Sequence, residues 1–348
     1  MGEDVTGIDV PRVSAWLESN VAGAKAPFSF ELIAGGRSNL TFRVTDARGA
    51  DWALRRPPVH HVLPTAHDMV REHTVIAAVG PAGVPVPRAV ALCTDESVNE
   101  RPFYVMEFVE GLILRDARMA AEELALEGRA RVGTNLATTL AGLHALVPDD
   151  VGLGSLARHD GYVERQLRRW QGQYEQMRVA GIDQGAIVGE VGEALAARIP
   201  AQQRVSVVHG DYRLDNTVLD PDGSVRAILD WEICTLGDPL ADLGMLCDYW
   251  ADPGDAQVAL MGAAPTMAPG FEGRDQVAKV YEQVSGLDCS ELPYYRAFGY
   301  WKLACILQGV YARYAAGATA GDAGPVDSFP AHVVTLAENA RELLAALG

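Results

Sequence analysis

The hydrophobic pattern of the chain changes its period near residue 110, and this change limits the folds open to it. Between Phe28 and Val109, short runs alternate apolar and polar residues and are separated by turns such as Gly35-Gly36, a pattern typical of antiparallel strands. From Ala120 onward, apolar residues recur three or four positions apart, as they do in helices. The sequence therefore predicts an α+β protein with a small antiparallel sheet followed by a larger, mainly helical part.

The first part should contain five strands and one helix. The strand-like segments are residues 28–36, 39–46, 51–56, 88–95 and 103–109. The helix is predicted to start near Thr65, with a capping contact to Asp68, and to stop at Gly80-Pro81. Because 348 residues exceed the usual size of one hydrophobic core, we expect two lobes, comprising residues 1–108 and 109–348.

Composition restricts the partners and the compartment. The net charge of −17 should repel nucleic acids and anionic membranes, so neither is expected as the main partner. The chain has no basic, apolar leader and no run of about 18 apolar residues. Its five cysteines form no CxxC pair, which favours neither a disulfide framework nor a zinc site. We expect a cytoplasmic protein.

The helical part is interrupted once, by short β-like segments around a turn at residues 221–223, and this interruption contains the residues suited to chemistry. In the sequence HGDYRLDN, Asp211 and Asn216 lie five positions apart, and Asp230 follows at the end of the apolar run RAILD. Phosphoryl transfer needs a carboxylate to accept the hydroxyl proton and hard oxygen ligands for Mg²⁺. The spacing indicates Asp211 as the base, with Asn216 and Asp230 as the metal ligands.

The combination HGDYRLDN and ILDWEICTLGDPLADLG resembles the aminoglycoside phosphotransferase and choline kinase-like family, particularly the branch that is fused to acyl-CoA dehydrogenases. The resemblance extends over most of the chain. It implies a protein kinase-like fold, with an N-terminal nucleotide-binding lobe and a C-terminal catalytic and substrate-binding lobe. It also implies ATP or GTP as the phosphoryl donor and Mg²⁺ as the cofactor.

The same resemblance implies a nucleotide-binding set in the N-terminal lobe. The GxSN segment, with Gly36, Ser38 and Asn39, should lie over the nucleotide, although such a segment also suits a β-hairpin turn. The backbone around Glu107 and Val109 should form the hinge against which adenine binds.

The family pattern also requires a basic residue on the third strand, held by a glutamate of the helix. None of the three lysines occupies that position, and Arg55 stands there instead, with Glu72 as the candidate partner. Arginine can still bridge phosphate and carboxylate groups. Because Arg55 departs from the family pattern, the pattern does not specify how the phosphates would be contacted.

Further residues near the motif have predicted supporting roles. Arg213 could neutralise the transferring phosphate, or it could pair with Asp215 or Glu232. His209 is expected to orient the loop by hydrogen bonding. Candidate acceptor contacts are Tyr249, Trp250 and Trp301, although aromatic residues at helical spacing more often belong to a core.

Two functions are consistent with these residues. The first is a small-molecule kinase that phosphorylates a hydroxyl group of an aminoglycoside-like compound, a hydroxyacyl-CoA or another metabolite. The alternative is a pseudokinase, a regulatory module that binds nucleotide without transferring phosphate, which the replacement of lysine by Arg55 motivates.

Overall fold

The structure, a computed structural model, describes residues 5–35, 39–59, 68–177, 186–253, 255, 264–315 and 328–347. The chain divides into two compact units. The first comprises Met1–Gly111 with Arg226–Cys234, and the second comprises Leu112–Val225 with Thr235–Gly348. The assignment of nucleotide binding to residues 1–108 and of catalysis to residues 109–348 stays a prediction.

The first unit contains the predicted five-stranded antiparallel sheet. Its strands are β1 (Ser29–Gly35), β2 (Leu40–Thr45), β3 (Asp51–Arg56), β4 (Ala89–Cys93) and β5 (Phe103–Glu107). In space they follow the order β1-β2-β3-β5-β4, with every neighbouring pair antiparallel. Apolar side chains that alternate along β2 and β3, including Phe42, Val44 and Leu54, are buried on one face and form the core of this unit.

Three helices of the first unit lie in the described residues: α1 (Val10–Asn20), α2 (Met69–Val79) and α3 (Glu96–Asn99). Helix α2 is the helix predicted from sequence, and Asp68 caps it by accepting a hydrogen bond from the backbone N–H of Arg71 (3.0 Å). The predicted start at Thr65 lies outside the described residues. Helix α1, which was not predicted from the sequence, buries Val13 and Leu17 in the core of the sheet.

The second unit is mainly helical, as predicted. Its helices are α4 (Ala117–Glu123), α5 (Leu126–Ala145), α6 (Tyr162–Gln176), α7 (Ile187–Ala197), α8 (Leu240–Tyr249), α9 (Arg274–Ser285), α10 (Leu292–Ala315) and α11 (Phe329–Ala346). Helix α10 packs against α6, α7, α8 and α11, while α5 packs against α9. Within the described ranges, no helix is both long and apolar enough to cross a membrane.

Short strands surround the polar motif. They are β6 (Ser206–Val208), β7 (Thr217–Leu219), β8 (Val225–Ile228) and β9 (Thr235–Gly237). The predicted turn is confirmed by the hydrogen bond from the backbone N–H of Gly223 to the carbonyl of Asp220 (2.9 Å). Strand β9, which the sequence analysis did not predict, pairs antiparallel with β6. The motif His209–Asn216 thus directly follows a strand that is fully buried.

Candidate active-site residues

An ion-pair cluster in the first unit is centred on Arg55 of β3. Its Nε donates a hydrogen bond to Glu72 Oε2 of α2 (2.8 Å), and its Nη2 donates to Asp230 Oδ1, just beyond β8 (2.5 Å). A third carboxylate oxygen, Oε2 of Glu232, lies 3.8 Å from Nη2. The side chains of Arg55 and Glu72 are 11% and 1% exposed. The arginine therefore contacts the helix glutamate that the sequence suggested and also a proposed metal ligand.

Burial and charge oppose each other in this cluster. Burial alone would lower the pKa of Arg55, but the carboxylates of Glu72 and Asp230 raise it above its ordinary value. Burial raises the pKa of Glu72, and the guanidinium acts in the opposite direction. The hydroxyl of Tyr104 also donates to Glu72 Oε2 (3.0 Å). One permanent cation thus faces three carboxylates, and the excess negative charge suits a site for additional cations.

Asn39 joins the same cluster from the start of β2. Its Nδ2 donates to Glu72 Oε1 (3.0 Å) and to Glu232 Oε2 (3.1 Å), and the residue is 3% exposed. Gly36 and Ser38, the other two residues of the predicted nucleotide loop, lie outside the described residues. From the sequence, Glu232 was predicted only as an alternative partner of Arg213. Its contact with Asn39 joins residues that are 193 positions apart, and no local pattern indicates such a contact.

The predicted hinge residues lie at the end of β5 and just after it. Glu107 is the last residue of the strand, and its backbone N–H donates to the carbonyl of Arg88 (2.9 Å). Val109 follows in an irregular, partly exposed segment. Their contact with a purine stays a prediction.

The backbone of Asp230 has an unusual conformation. Its φ is 63°, in the left-handed region that residues other than glycine rarely adopt. The neighbouring hydrogen bond from Trp231 Nε1 to the carbonyl of Ile228 (3.1 Å) fixes this turn. Such strain persists only where surrounding contacts maintain it, and it concentrates at functional sites.

The second unit brings together Asp211, Asn216 and His209. Nδ2 of Asn216 donates to both the carboxylate Oδ2 (2.8 Å) and the backbone carbonyl (2.9 Å) of Asp211. The backbone N–H of Asp211 donates to Nδ1 of His209 (3.2 Å). The five-residue spacing read from the sequence is therefore closed by side-chain hydrogen bonds, because the 3₁₀ turn Leu214–Asn216 bends the chain back on itself.

Arg213 lies beside the carboxylates of the same loop. Its Nε is 3.0 Å from Asp215 Oδ1 and 3.4 Å from Asp211 Oδ2, and its guanidinium carbon lies 4.6 Å from the centre of the Tyr249 ring. Burial raises the pKa of Asp215, while Arg213 opposes that shift. Of the predicted acceptor contacts, Tyr249 is thus the one in direct contact with this loop.

The other two candidates for acceptor binding are core residues. Trp250 and Trp301 are 1% and 0% exposed. Their indole N–H groups donate to the backbone carbonyls of Glu272 and Val188, each at 2.8 Å. A contact between either side chain and an acceptor stays a prediction.

Asp242 of α8 anchors the loop that carries Asp211. Its Oδ2 accepts the backbone N–H of His209 (2.6 Å), and its Oδ1 accepts that of Gly210 (2.7 Å). Burial would raise the pKa of Asp242, but His144 and the backbone donors hold it below its ordinary value. The ring of His144 lies 3.2 Å from Asp242 Oδ2. Asp242 therefore fixes this loop, and the sequence offered no signal for His144.

The two predicted metal ligands, taken one by one, carry oxygen atoms of the kind that suits Mg²⁺. Asp230 offers carboxylate oxygens, and Asn216, whose Nδ2 is occupied by Asp211, offers its amide oxygen. These are hard oxygen ligands of the kind that Mg²⁺ prefers. No group of three or more His, Cys, Asp or Glu side chains forms a metal cluster among the described residues. This is compatible with Mg²⁺, which protein sites often hold through one or two carboxylates together with substrate phosphates.

Comparison with solved structures supports the same class of protein. A Ralstonia eutropha JMP134 protein that is classed with the aminoglycoside phosphotransferases is 30% identical, with a TM-score of 0.80 and coverage of 97% of this chain and 98% of that one. Choline kinase from Cryptosporidium parvum Iowa II, 11% identical, has a TM-score of 0.65 and coverage of 97% of both chains. The chain therefore has a kinase-like fold.

The sequence also matches proteins much longer than itself. It is 34% identical over 317 residues to acyl-CoA dehydrogenase family member 11 of Gallus gallus, a match that covers 88% of this chain and 39% of the relative. The chain thus spans well under half the length of that relative. The family model described as the phosphotransferase enzyme family matches residues 29–277. The chain belongs to the phosphotransferase enzyme family.

Proposed function

We propose that this protein transfers the γ-phosphate of ATP or GTP to a hydroxyl group of a small molecule. The observation that carries the proposal is the hydrogen-bonded pair of Asp211 and Asn216, in which Nδ2 of Asn216 holds both the carboxylate and the carbonyl of Asp211. This arrangement orients one carboxylate while leaving the amide oxygen of Asn216 for a metal. It is the geometry expected of a base beside a Mg²⁺ ligand.

In the proposed reaction, the acceptor oxygen forms a bond to the γ-phosphorus as the bond to the bridging β–γ oxygen breaks. The hydroxyl proton passes to Oδ1 of Asp211, since Oδ2 already accepts from Asn216. Arg213, beside the same carboxylate, offsets negative charge on the transferring group. When bound, Mg²⁺ would neutralise phosphate charge, and Asn216 and Asp230 would hold it.

Arg55 is proposed to replace the lysine that usually contacts the phosphates. Its guanidinium is fixed by Glu72 at 2.8 Å, which leaves the fork of N–H donors pre-oriented. The same guanidinium also pairs with Asp230, a proposed metal ligand. Binding of Mg·nucleotide would therefore change this pairing. Some of the guanidinium N–H groups of Arg55 would then donate to phosphate oxygens instead of to Asp230.

The acceptor is proposed to be a hydroxylated acyl-CoA or a related metabolite rather than an aminoglycoside. The support is the similarity to a protein named as an acyl-CoA dehydrogenase family member over 88% of this chain. Tyr249, stacked beside Arg213, is the proposed acceptor contact.

The test is transfer of labelled γ-phosphate from ATP and from GTP to a metabolite extract, followed by identification of the labelled product. A labelled hydroxyacyl compound would support the whole proposal. A labelled product of another class would overturn the acceptor assignment alone, and no labelled product with either nucleotide would overturn the kinase function.

The contact between Arg55 and Asp230 favours one alternative, a nucleotide-binding pseudokinase. A guanidinium at 2.5 Å from a proposed metal ligand competes with Mg²⁺ for that carboxylate. Nucleotide binding without label transfer, and without dependence on Mg²⁺, would support this alternative.

A further inference from the structure

Lys302, in helix α10, is a buried lysine whose ammonium group contacts the loop that carries Asp211. The residue is 6% exposed, and its Nζ donates a hydrogen bond to the backbone carbonyl of Gly210 (3.1 Å). Burial lowers the pKa of Lys302, although Asp211 and Asp242 act in the opposite direction. Lysines are almost never fully buried unless paired, because removing an ammonium group from water is costly. A simple packing role would be better served by an apolar side chain.

The contact acts on one particular peptide group. The carbonyl of Gly210 and the N–H of Asp211 belong to the same planar unit. Lys302 binds the carbonyl end, and Nδ1 of His209 accepts the N–H end at 3.2 Å. The orientation of this peptide plane is therefore fixed from both sides.

Gly210, which precedes this peptide plane, makes it necessary to fix the orientation of the plane through contacts. Gly210 has a φ of 88°, in the region that glycine adopts readily, and without a Cβ it has wide conformational freedom. Asp242 holds the peptide group that precedes Gly210, because its Oδ1 accepts the N–H of Gly210, whereas Lys302 and His209 hold the peptide group that follows. Rotation of the following peptide changes φ of Asp211, and with it the direction of the carboxylate.

We propose that Lys302 is a positioning residue for phosphoryl transfer, whose ammonium group holds the peptide between Gly210 and Asp211 in the orientation that presents the carboxylate to the acceptor hydroxyl. The proposal rests on the proposed role of Asp211 as the base. It assigns a role in positioning Asp211 to helix α10, whose Lys302 lies 92 positions after Gly210 in the sequence.

Kinetics of Lys302→Met test the proposal, because methionine keeps much of the length and removes the donor and the charge. We expect kcat for phosphate transfer to fall about 10- to 100-fold, as for a small misplacement of a reacting group, while the KM for nucleotide stays nearly constant. Lys302→Gln, which retains an N–H donor, should recover part of the lost kcat. Lys279→Met, on the exposed face of α9, is the matched control and should retain the wild-type rate.

Residue-resolved amide hydrogen exchange gives a readout that does not depend on activity. In Lys302→Met the amide of Asp211 should exchange faster, whereas those of His209 and Gly210, held by Asp242, should keep their protection. If the methionine variant does not fold, Lys302→Leu, which also removes the donor to the Gly210 carbonyl, takes its place in the same comparison.

The outcomes separate this inference from the proposed function. A wild-type kcat in Lys302→Met, or a reduced kcat with unchanged exchange at Asp211, would overturn the positioning role. If the wild-type protein transfers no phosphate to any acceptor, the proposed function fails, while the exchange measurement still decides whether Lys302 controls this peptide.

Discussion

At the scale of single residues, Arg55 shows how one substitution changes the electrostatics of a site. A lysine ammonium is a compact charge, whereas the planar guanidinium reaches Glu72 and Asp230 at the same time, at 2.8 and 2.5 Å. Because Glu72 is 1% exposed, its charge depends on that partner. Arg55 therefore contributes to the stability of the first unit as well as to its proposed chemistry.

Removing this cation should destabilise the first unit. In Arg55→Met, the carboxylate of Glu72 is left buried without a counter-ion, and we expect a loss of about 3 kcal/mol in the free energy of unfolding, measured by chemical denaturation. Arg55→Lys should lose less, because it keeps the charge. Arg118→Met is the control: Arg118 pairs with Glu122 on the surface, with side-chain exposures of 75% and 58%, and should have little effect. Equal stability of Arg55→Met and wild type would contradict this account of the cluster.

A second change at this scale concerns the proposed base. Asp211→Asn should lower kcat by about 10²- to 10⁴-fold, because the amide cannot accept the hydroxyl proton, while the affinity for Mg·nucleotide stays close to that of the wild type. Steady-state kinetics and equilibrium titration measure the two quantities. Asp160→Asn, at a surface position 83% exposed, is the matched control. The role of base is wrong if Asp211→Asn turns over at the wild-type rate.

At the scale of secondary-structure elements, helix α8 performs two tasks with two residues that lie about half a turn apart. Asp242 points its carboxylate at the loop after β6, and Gly244 lets the helix approach α10 closely. A Cβ on Gly244 would lie 2.7 Å from the backbone carbon of Tyr295. Helix packing and loop position are thus set by the same element.

Glycine-to-alanine substitutions at two helix positions should therefore have opposite effects. Gly244→Ala should lower the free energy of unfolding by about 1–3 kcal/mol, because the backbone of α10 must move. Gly142→Ala, in α5, meets nothing within 4 Å and should raise it by about 0.5–1 kcal/mol through the better helix propensity of alanine. Denaturant titration of both variants checks the signs. A stabilising Gly244→Ala would show that α8 and α10 are less closely packed than described.

The anchor of the loop gives a prediction with a defined pH dependence. An asparagine in place of Asp242 must point its amide N–H at the backbone N–H of either His209 or Gly210, so we expect Asp242→Asn to cost about 2–4 kcal/mol near neutral pH. The folded pKa of Asp242 is lowered, so its stabilisation is complete above the unfolded pKa of about 3.9 and is lost as pH falls through the lower folded value.

Denaturant titrations of the wild type and of Asp242→Asn at several pH values measure how the stabilisation by Asp242 depends on pH. The difference in unfolding free energy should be constant between roughly pH 6 and 8 and should shrink below about pH 4. A difference that grows on acidification would show that Asp242 does not act as an ionised acceptor.

At the scale of the whole molecule, a bound nucleotide should stabilise the folded chain. At 100 times its Kd, a ligand that binds only the folded state adds about 2.7 kcal/mol to the free energy of unfolding. We expect such stabilisation with Mg·ATP or Mg·GTP, measured by thermal unfolding, and a clear reduction when EDTA removes the metal. The comparison of the two nucleotides identifies the donor. Stabilisation by neither nucleotide would count against both the kinase and the pseudokinase.

Local patterns were sufficient to predict much of the fold. The period-two pattern of residues 39–46 and 51–56 predicted β2 and β3, because a half-buried strand must alternate its side chains. Helix α1 and strand β9 were not predicted: α1 lies before the segment that was interpreted as the sheet, and β9 has only three residues. Its pairing with β6, twenty-seven or more positions away in sequence, is a long-range contact that propensity does not encode.

By itself, the sequence determined which chemical groups the candidate site contains and how the loop from His209 to Asn216 folds locally. The five-residue spacing of Asp211 and Asn216 specifies their hydrogen bonds, since one short turn joins them. The tertiary structure alone decided which distant groups support that loop and the cluster around Arg55: Asp242, His144 and Lys302 for the loop, and Asn39 with Glu232 for the cluster. The physical reason is that these contacts join residues far apart in the chain. Burial of apolar helix and sheet faces brings them together, and only then do their charges and hydrogen bonds act.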